Sequence, residues 1–225
     1  MTHLTKTLLR GLGVVWLTAS GLAWAAEQND HQIIEEIVVT ASFRDQALSM
    51  VPVSVSVVSE AEIKKRSAQH VEQILNITPN VNYAAGASRG RFMQIRGVGE
   101  RSQFKDPLDP SVGLIVDGID FSGIGLAGTL FDLQQVEVLR GPQGTTFGSS
   151  AMGGLLLLKS NAPTEKFTGS VTSGVGNYGR WHAGGVVSGP LSDTVAGRLA
   201  VHQFRGDGYI ENDFLDADDT NGYDE

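Results

Sequence analysis

The stretch Val136-Glu137-Val138-Leu139-Arg140-Gly141-Pro142-Gln143-Gly144 reads as a β-strand run into a glycine turn. Val136, Val138 and Leu139 supply the β-branched and apolar content of a strand, and Gly141-Pro142 stops it. Moving upstream, Phe92 to Gly97 and Val112 to Gly118 are further short apolar strands ended by glycine turns. Two of these strand ends repeat an Arg-Gly pair, at Arg96-Gly97 and Arg140-Gly141. A strand-end arginine beside glycine can reach a neighbouring wall and pair with carboxylates there, although a surface arginine is the simpler reading. Downstream, Leu155 to Leu158 is a buried strand or helix piece that periodicity alone does not settle.

Further out, Val51-Pro52-Val53-Ser54-Val55-Ser56-Val57-Val58 alternates as a strand, with Pro52 suited to an edge or a strand start. Ser59 stands three residues before Glu62 with Ile63 following, a capping-box signature for a short helix. A second helix is predicted from about Ser67 to Asn76, with Val71, Ile74 and Leu75 on one face and Pro79 beyond its end. Strands alternating with short helices and glycine loops predict a small α+β domain over residues 46–161.

After Pro163 the texture changes. Phe167 to Gly176, Gly179 to Ser192 and Val195 to Phe204 are long stretches of alternating character joined by short turns. In the third, Val195, Gly197, Leu199 and Val201 face one way and Ala196, Arg198, Ala200 and His202 the other. Strands of about ten residues with this period fit a membrane barrel, and a soluble meander has the same pattern. Three strands cannot close a barrel, and an open edge is not viable in lipid. Either the chain is cut short or these strands join a soluble sheet.

At the other end, Lys6 and Arg10 precede an apolar run that reaches Ala23-Trp24-Ala25. A basic start, an apolar middle and an A-x-A site predict a secretory signal over residues 1–25. Beyond it, Ile33 to Ala41 is a β-branched segment with acids in its middle. No turn and returning strand lie close after it, so it reads as an ordinary first strand or as one that pairs with another protein's sheet edge.

Composition narrows the function. The chain has no cysteine, so no disulfide or thiolate metal site is available. Once Lys6 and Arg10 leave with the signal, the net charge is about −10, which argues against a nucleic-acid binder relying on global charge. Gly123-Ile124-Gly125-Leu126-Ala127-Gly128 matches a dinucleotide fingerprint in glycine spacing only, since no periodic helix opens there. Gly141 to Gly148 has no lysine and is not a phosphate loop. Asp216 to Gly222 alternates oxygen-bearing residues like a calcium loop, but its glycine arrives one position late, so a solvated loop is the default. The histidines are scattered, so zinc is not expected. No nucleophile elbow is present, and an enzyme is not expected. One local inversion stands out in this acidic chain: Arg89, Arg91, Arg96, Arg101 and Lys105 against the single acid Glu100. Such a cluster could attract an anionic ligand.

With these residues assembled, the chain resembles the N-terminal part of TonB-dependent outer-membrane receptors. Glu36-Ile37-Val38-Val39-Thr40-Ala41 resembles their TonB box. Val51 to Val55 resembles the start of their plug domain. Ile95-Arg96-Gly97-Val98-Gly99, Val116-Asp117-Gly118-Ile119 and Val136 to Gly144 match plug motifs in the expected order. The resemblance implies an α+β plug followed by the first antiparallel strands of an incomplete 22-stranded outer-membrane barrel. It implies a signal peptide over 1–25, a flexible arm with the TonB box over 26–45, the plug over 46–161 and barrel strands over 162–225. It further implies import of a scarce ligand such as a ferric siderophore, energised through the inner-membrane protein TonB, with outer-membrane lipid around the barrel and no cofactor. Arg96 and Arg140 correspond to plug arginines that pair with barrel glutamates, on strands this chain does not contain. Arg89, Arg91, Arg101 and Lys105 are the ligand-contact candidates, with Phe121 to Gly128 as a second apical loop. Two departures matter: Leu155 to Lys159 and Ser149-Ser150 replace more polar family patterns, which puts the plug's last polar contacts in question. The chain stops where most of the barrel should begin, so the alternative is a truncated periplasmic TonB-binding module or an inert fragment.

Overall fold

The computed structural model describes residues 37–40, 46–84, 90, 92–101, 109–124, 128–208, 213–214 and 222–224. The predicted signal, Glu36, Ala41, Arg89, Arg91, Lys105 and the acidic run from Asp216 to Asn221 lie outside them.

A five-stranded mixed sheet forms the centre. Its strands are β3 (Ser54–Ser59), β6 (Val112–Val116), β7 (Ile119–Asp120), β8 (Leu133–Arg140) and β9 (Gly154–Ser160), in the order β3-β8-β9-β6-β7. All neighbours are antiparallel except β6 and β9. Strand β9 lies between two partners and is covered on both faces, which settles the leucine run. Leu156 and Leu158 face one core cluster and Leu155 and Leu157 the other. A strand buried on both faces reads as a continuous apolar run, which is why its sequence shows no alternation.

On the first face pack α1 (Glu60–Lys65) and α2 (Val71–Leu75), through Ile63, Val71, Ile74 and Leu75. The Ser59 hydroxyl accepts a hydrogen bond from Glu62 N at 3.4 Å, as the sequence predicts. The second helix is shorter than expected. Ser67 sits at φ 50°, in the left-handed region that closes α1, and α2 starts only after His70. His70 forms a capping box with Gln73, the side chain of which accepts from His70 N at 3.2 Å.

A separate hairpin joins β4 (Val81–Ala84) to β5 (Phe92–Ile95). Two of the motifs quoted above are tight turns. Arg96-Gly97 and Asp117-Gly118 both have positive φ at their two central residues (55° and 82°, 49° and 85°), the requirement of the mirror-image turn that matches strand twist. The short helix α3 (Gly144–Phe147) follows the Arg140-Gly141 strand end.

The remaining chain is a second sheet of β10 (Thr168–Val175), β11 (Trp181–Ser192), β12 (Val195–Gly206) and β13 (Tyr223–Asp224), all antiparallel neighbours. Its outer face carries Val171, Val187, Leu199 and Val201, which are half or more exposed, with Val171 reaching 88 %. Trp181 lies near one end of this band, and Phe167 and Leu191 near the other. The opposite face turns to the α+β unit. Among the described residues no helix is long and apolar enough to cross a membrane, which says nothing of strands.

Candidate coupling strand and plug-to-barrel contacts

The segment predicted to meet a partner strand is docked on the second face of the central sheet. Val38–Val39 forms β1 and pairs antiparallel with β2 (Gln46–Ala47), and Leu48 N donates to Ile37 O at 2.8 Å. The sequence reading expects no close returning strand, and here the structure differs. Two paired residues are too few to leave a periodic signal. Val39 is fully buried beside Ile115, Leu139, Ala151, Leu155 and Leu157, and a buried valine contributes about 1.5–2 kcal/mol. Ile37 and Val38 stay 48 % and 42 % exposed. Thr40 lines an open cavity of about 410 Å³ with Ile115, Phe147 and Leu157.

Polar bonds complete the docking. Glu137, at 0 % exposure, accepts from Thr40 N at 2.9 and 3.0 Å and from the Thr40 hydroxyl at 2.9 Å. Gln135 Nε2 donates to Val38 O at 2.9 Å and to Glu137 Oε1 at 2.7 Å. The buried carboxylate therefore has donors on both oxygens, which is what a carboxylate away from water requires.

Arg96 and Arg140 stand together at the opposite end of β8. Arg140 Nε donates to Ser54 Oγ at 3.1 Å and its Nη1 to Pro79 O at 3.3 Å. A Cβ placed on Gly141 would lie 3.9 Å from Arg96 Nη1, so the two guanidinium-bearing residues flank one turn. Neither pairs with a carboxylate among the described residues. Of the ligand-contact candidates, Arg101 alone is described, and it is exposed.

The contact between the α+β unit and the long strands runs through residues the sequence does not single out. Arg198 on β12 donates from Nε to Asp132 Oδ2 at 2.6 Å and from Nη2 to Oδ1 at 2.5 Å, a bidentate pair with both side chains under 20 % exposed. Asn161 Nδ2 adds a bond to Asp132 Oδ1 at 3.2 Å. Phe131 stacks on His202 at 4.4 Å between ring centroids, and a Cβ on Gly184 would meet the Phe131 ring at 3.0 Å. A glycine on β11 is what lets the aromatic ring lie against the wall. Ser188, buried, accepts from Thr164 N at 2.9 Å.

Burial works to raise the Asp132 carboxyl pKa. Hydrogen bonds from Arg198 and Asn161, with the Arg198 and Lys64 charges, outweigh it and hold the group below its ordinary 3.8. A folded pKa below the unfolded one gives stability that is complete above the ordinary value and is lost as pH falls through the lowered one. Asp132→Asn is accordingly expected to cost about 2 kcal/mol at neutral pH. Its penalty should shrink in acid, as urea unfolding at several pH values would show.

An α+β domain with a docked N-terminal strand, bound through its flank to a long-stranded antiparallel wall, defines a plug set against barrel strands. The comparisons agree. Residues 47–155 match the family model described as TonB-dependent Receptor Plug Domain. The pesticin receptor of Yersinia pestis is 29 % identical over 222 residues, covering 97 % of this chain and 32 % of that protein. The vitamin B12 transporter BtuB of Vibrio vulnificus (strain YJ016) is 27 % identical, covering 85 % and 31 %. The crystal structure of the ferric yersiniabactin uptake receptor FyuA from Yersinia pestis superposes with a TM-score of 0.66 at 30 % identity, covering 76 % of this chain and 27 % of that one. The chain belongs to the TonB-dependent receptors, and residues 47–155 are its plug domain. These relatives are receptors and a transporter rather than enzymes. The chain spans about a third of the length of the curated relatives it matches.

Proposed function

We propose that this chain supplies the plug, the coupling strand and the first barrel strands of an outer-membrane importer that takes up a scarce ligand, such as a ferric siderophore, with energy delivered through TonB. The observation that carries the reading is the extended Ile37–Thr40 segment held on the plug by two short pairing residues and a few side-chain bonds. An added strand gains affinity from main-chain bonds, so a partner could grip it and pull largely without regard to side chains. The apolar outer face of β10 to β12, with aromatic residues near both ends, suits outer-membrane lipid. Residues 26–45 act as the arm, 46–161 as the plug and 162–225 as barrel strands. Arg96 and Arg140 meet barrel glutamates on strands beyond those described. Relatives that handle ferric yersiniabactin and vitamin B12 leave the ligand class open to both, and the basic cluster favours an anionic chelate.

The ligand assignment has a direct test. Replacing Arg89, Arg91 and Arg101 together by glutamine is expected to weaken binding of an anionic ferric chelate about tenfold or more, at low salt above all. Fluorescence-quench titration of the receptor in detergent reads the change, and unchanged affinity rejects these residues as ligand contacts.

A further inference from the structure

The basic cluster contains one acid, Glu100, and where that acid is directed decides what the cluster presents. Glu100 follows β5 by way of Gly99, which has φ +139° and lies so close to the strand that a Cβ there would collide with Met93 O. Gln94 Nε2, buried on β5, donates to Glu100 O, so the main chain at Glu100 is fixed to the strand. The side chain is committed elsewhere. Its Oε1 and Oε2 accept from Ser111 N at 2.9 and 3.1 Å, and Oε1 accepts from the Ser111 hydroxyl at 2.6 Å. Ser111 is itself held, since its carbonyl accepts from Gly153 N at 2.7 Å. Just before it, Asp109 Oδ1 accepts from Ser149 Oγ at 2.8 Å. Ser149 is one of the two departures from the family pattern, and here it ties down the far side of the clasp.

Arg101 is the next residue along. It is exposed, and it forms no ion pair among the described residues. A carboxylate whose oxygens are both taken by Ser111 is not available to pair with the neighbouring guanidinium. We propose that Glu100 is a positioning residue for Arg101: its clasp on Ser111 fixes the chain where Arg101 leaves the plug and keeps that guanidinium unpaired for an anionic ferric chelate. This rests on the reading of Arg101 as a ligand contact. A preformed site avoids the ordering cost that a loose one meets on binding, a factor of about three to ten per side chain. Against that stands the direct effect of the charge. An acid beside a cationic site repels an anion, and removing it from an exposed position strengthens binding by about twofold at low salt, less as salt rises. The two effects have opposite signs, so the direction of change reads the role of the carboxylate.

The test is a fluorescence-quench titration of the full-length receptor in detergent with a triply anionic ferric tris-catecholate chelate. Arg101→Gln is expected to weaken binding about fivefold. Glu100→Ala should weaken it about threefold to fivefold, and should add nothing in the Arg101→Gln background. Glu100→Gln keeps an acceptor for Ser111 and is expected at or slightly above wild-type affinity. Ser111→Ala retains the charge and both main-chain bonds, so its expected loss of about twofold cannot come from electrostatics. That variant carries the test if Glu100→Ala folds poorly. If Glu100→Ala binds as tightly as wild type or more tightly while Arg101→Gln binds weakly, charge alone acts; the positioning role is then wrong and the ligand reading stands. Additive losses in the double variant overturn the positioning role equally. If the wild type does not bind the chelate, or Arg101→Gln leaves affinity unchanged, Arg101 is no ligand contact and both readings fail.

Discussion

Removing Glu36 to Ala41 is expected to abolish energised uptake while leaving ligand binding within about twofold of wild type. The expectation follows from where the segment sits. Val39 packs against one face of the central sheet, beside Ile115 and Leu139, whereas Arg101, the described residue among those proposed to meet the ligand, is exposed and outside that cluster. Deletion takes away one buried valine and the Thr40 bonds to Glu137, and leaves β3 to β9 paired. The plug should therefore persist, with a modest loss of stability from an exposed Leu139 and a Glu137 that keeps the bond from Gln135 but loses those from Thr40. Only the step that requires a pulled strand should fail. Uptake of radiolabelled ferric chelate by intact cells, set beside binding to the same cells when de-energised, separates the two. Uptake that survived the deletion would remove the segment from the mechanism.

Gly154→Val is expected to prevent the plug from folding. Gly154 has φ +146°, a region that side-chain-bearing residues avoid. A Cβ there would lie 2.4 Å from Leu139 O and 2.7 Å from Ile95 Cδ1. Neither neighbour can yield easily. Gly154 pairs with Arg140 on one side and Val112 on the other, so a shift that relieved the clash would break register in two ladders. Strain and overpacking together should exceed about 4 kcal/mol, close to the whole stability of a small domain. The signature would be loss of mature protein from the outer membrane with rapid proteolysis, whereas Gly144→Ala, which meets nothing within 4 Å, should be tolerated. A Gly154→Val protein with a wild-type urea midpoint would contradict the geometry.

Much of the architecture is legible because its signals are local. Alternation in Val195 to Val201 marks one face of β12, Ser59 and Glu62 mark the start of α1, and Arg96-Gly97 and Asp117-Gly118 mark turns. Other features depend on residues far apart in sequence and leave no such mark. Glu137 sits between two valines in a strand, where a charged residue ordinarily faces water. It is buried only because Thr40, 97 positions away, brings donors to it. The plug-to-wall contact has the same character. Arg198 and Asp132 are 66 positions apart, and nothing in either neighbourhood points to the other. His70 is missed as a helix cap because histidine is not among the usual capping residues, and its pairing with Gln73 emerges only once α2 is seen to begin at Val71. The motifs at Arg96-Gly97 and Asp117-Gly118 fare better than periodicity, since each fixes a turn of definite backbone sign.

The Ile37–Thr40 strand is proposed to transmit work from the inner membrane to the plug. The most direct measurement is uptake of a bound ferric chelate in two strains that differ only in the presence of TonB, with the receptor made to equal levels in both. Equal binding is expected in the two strains, with accumulation inside the cell only where TonB is present. Equal accumulation with and without TonB would contradict it.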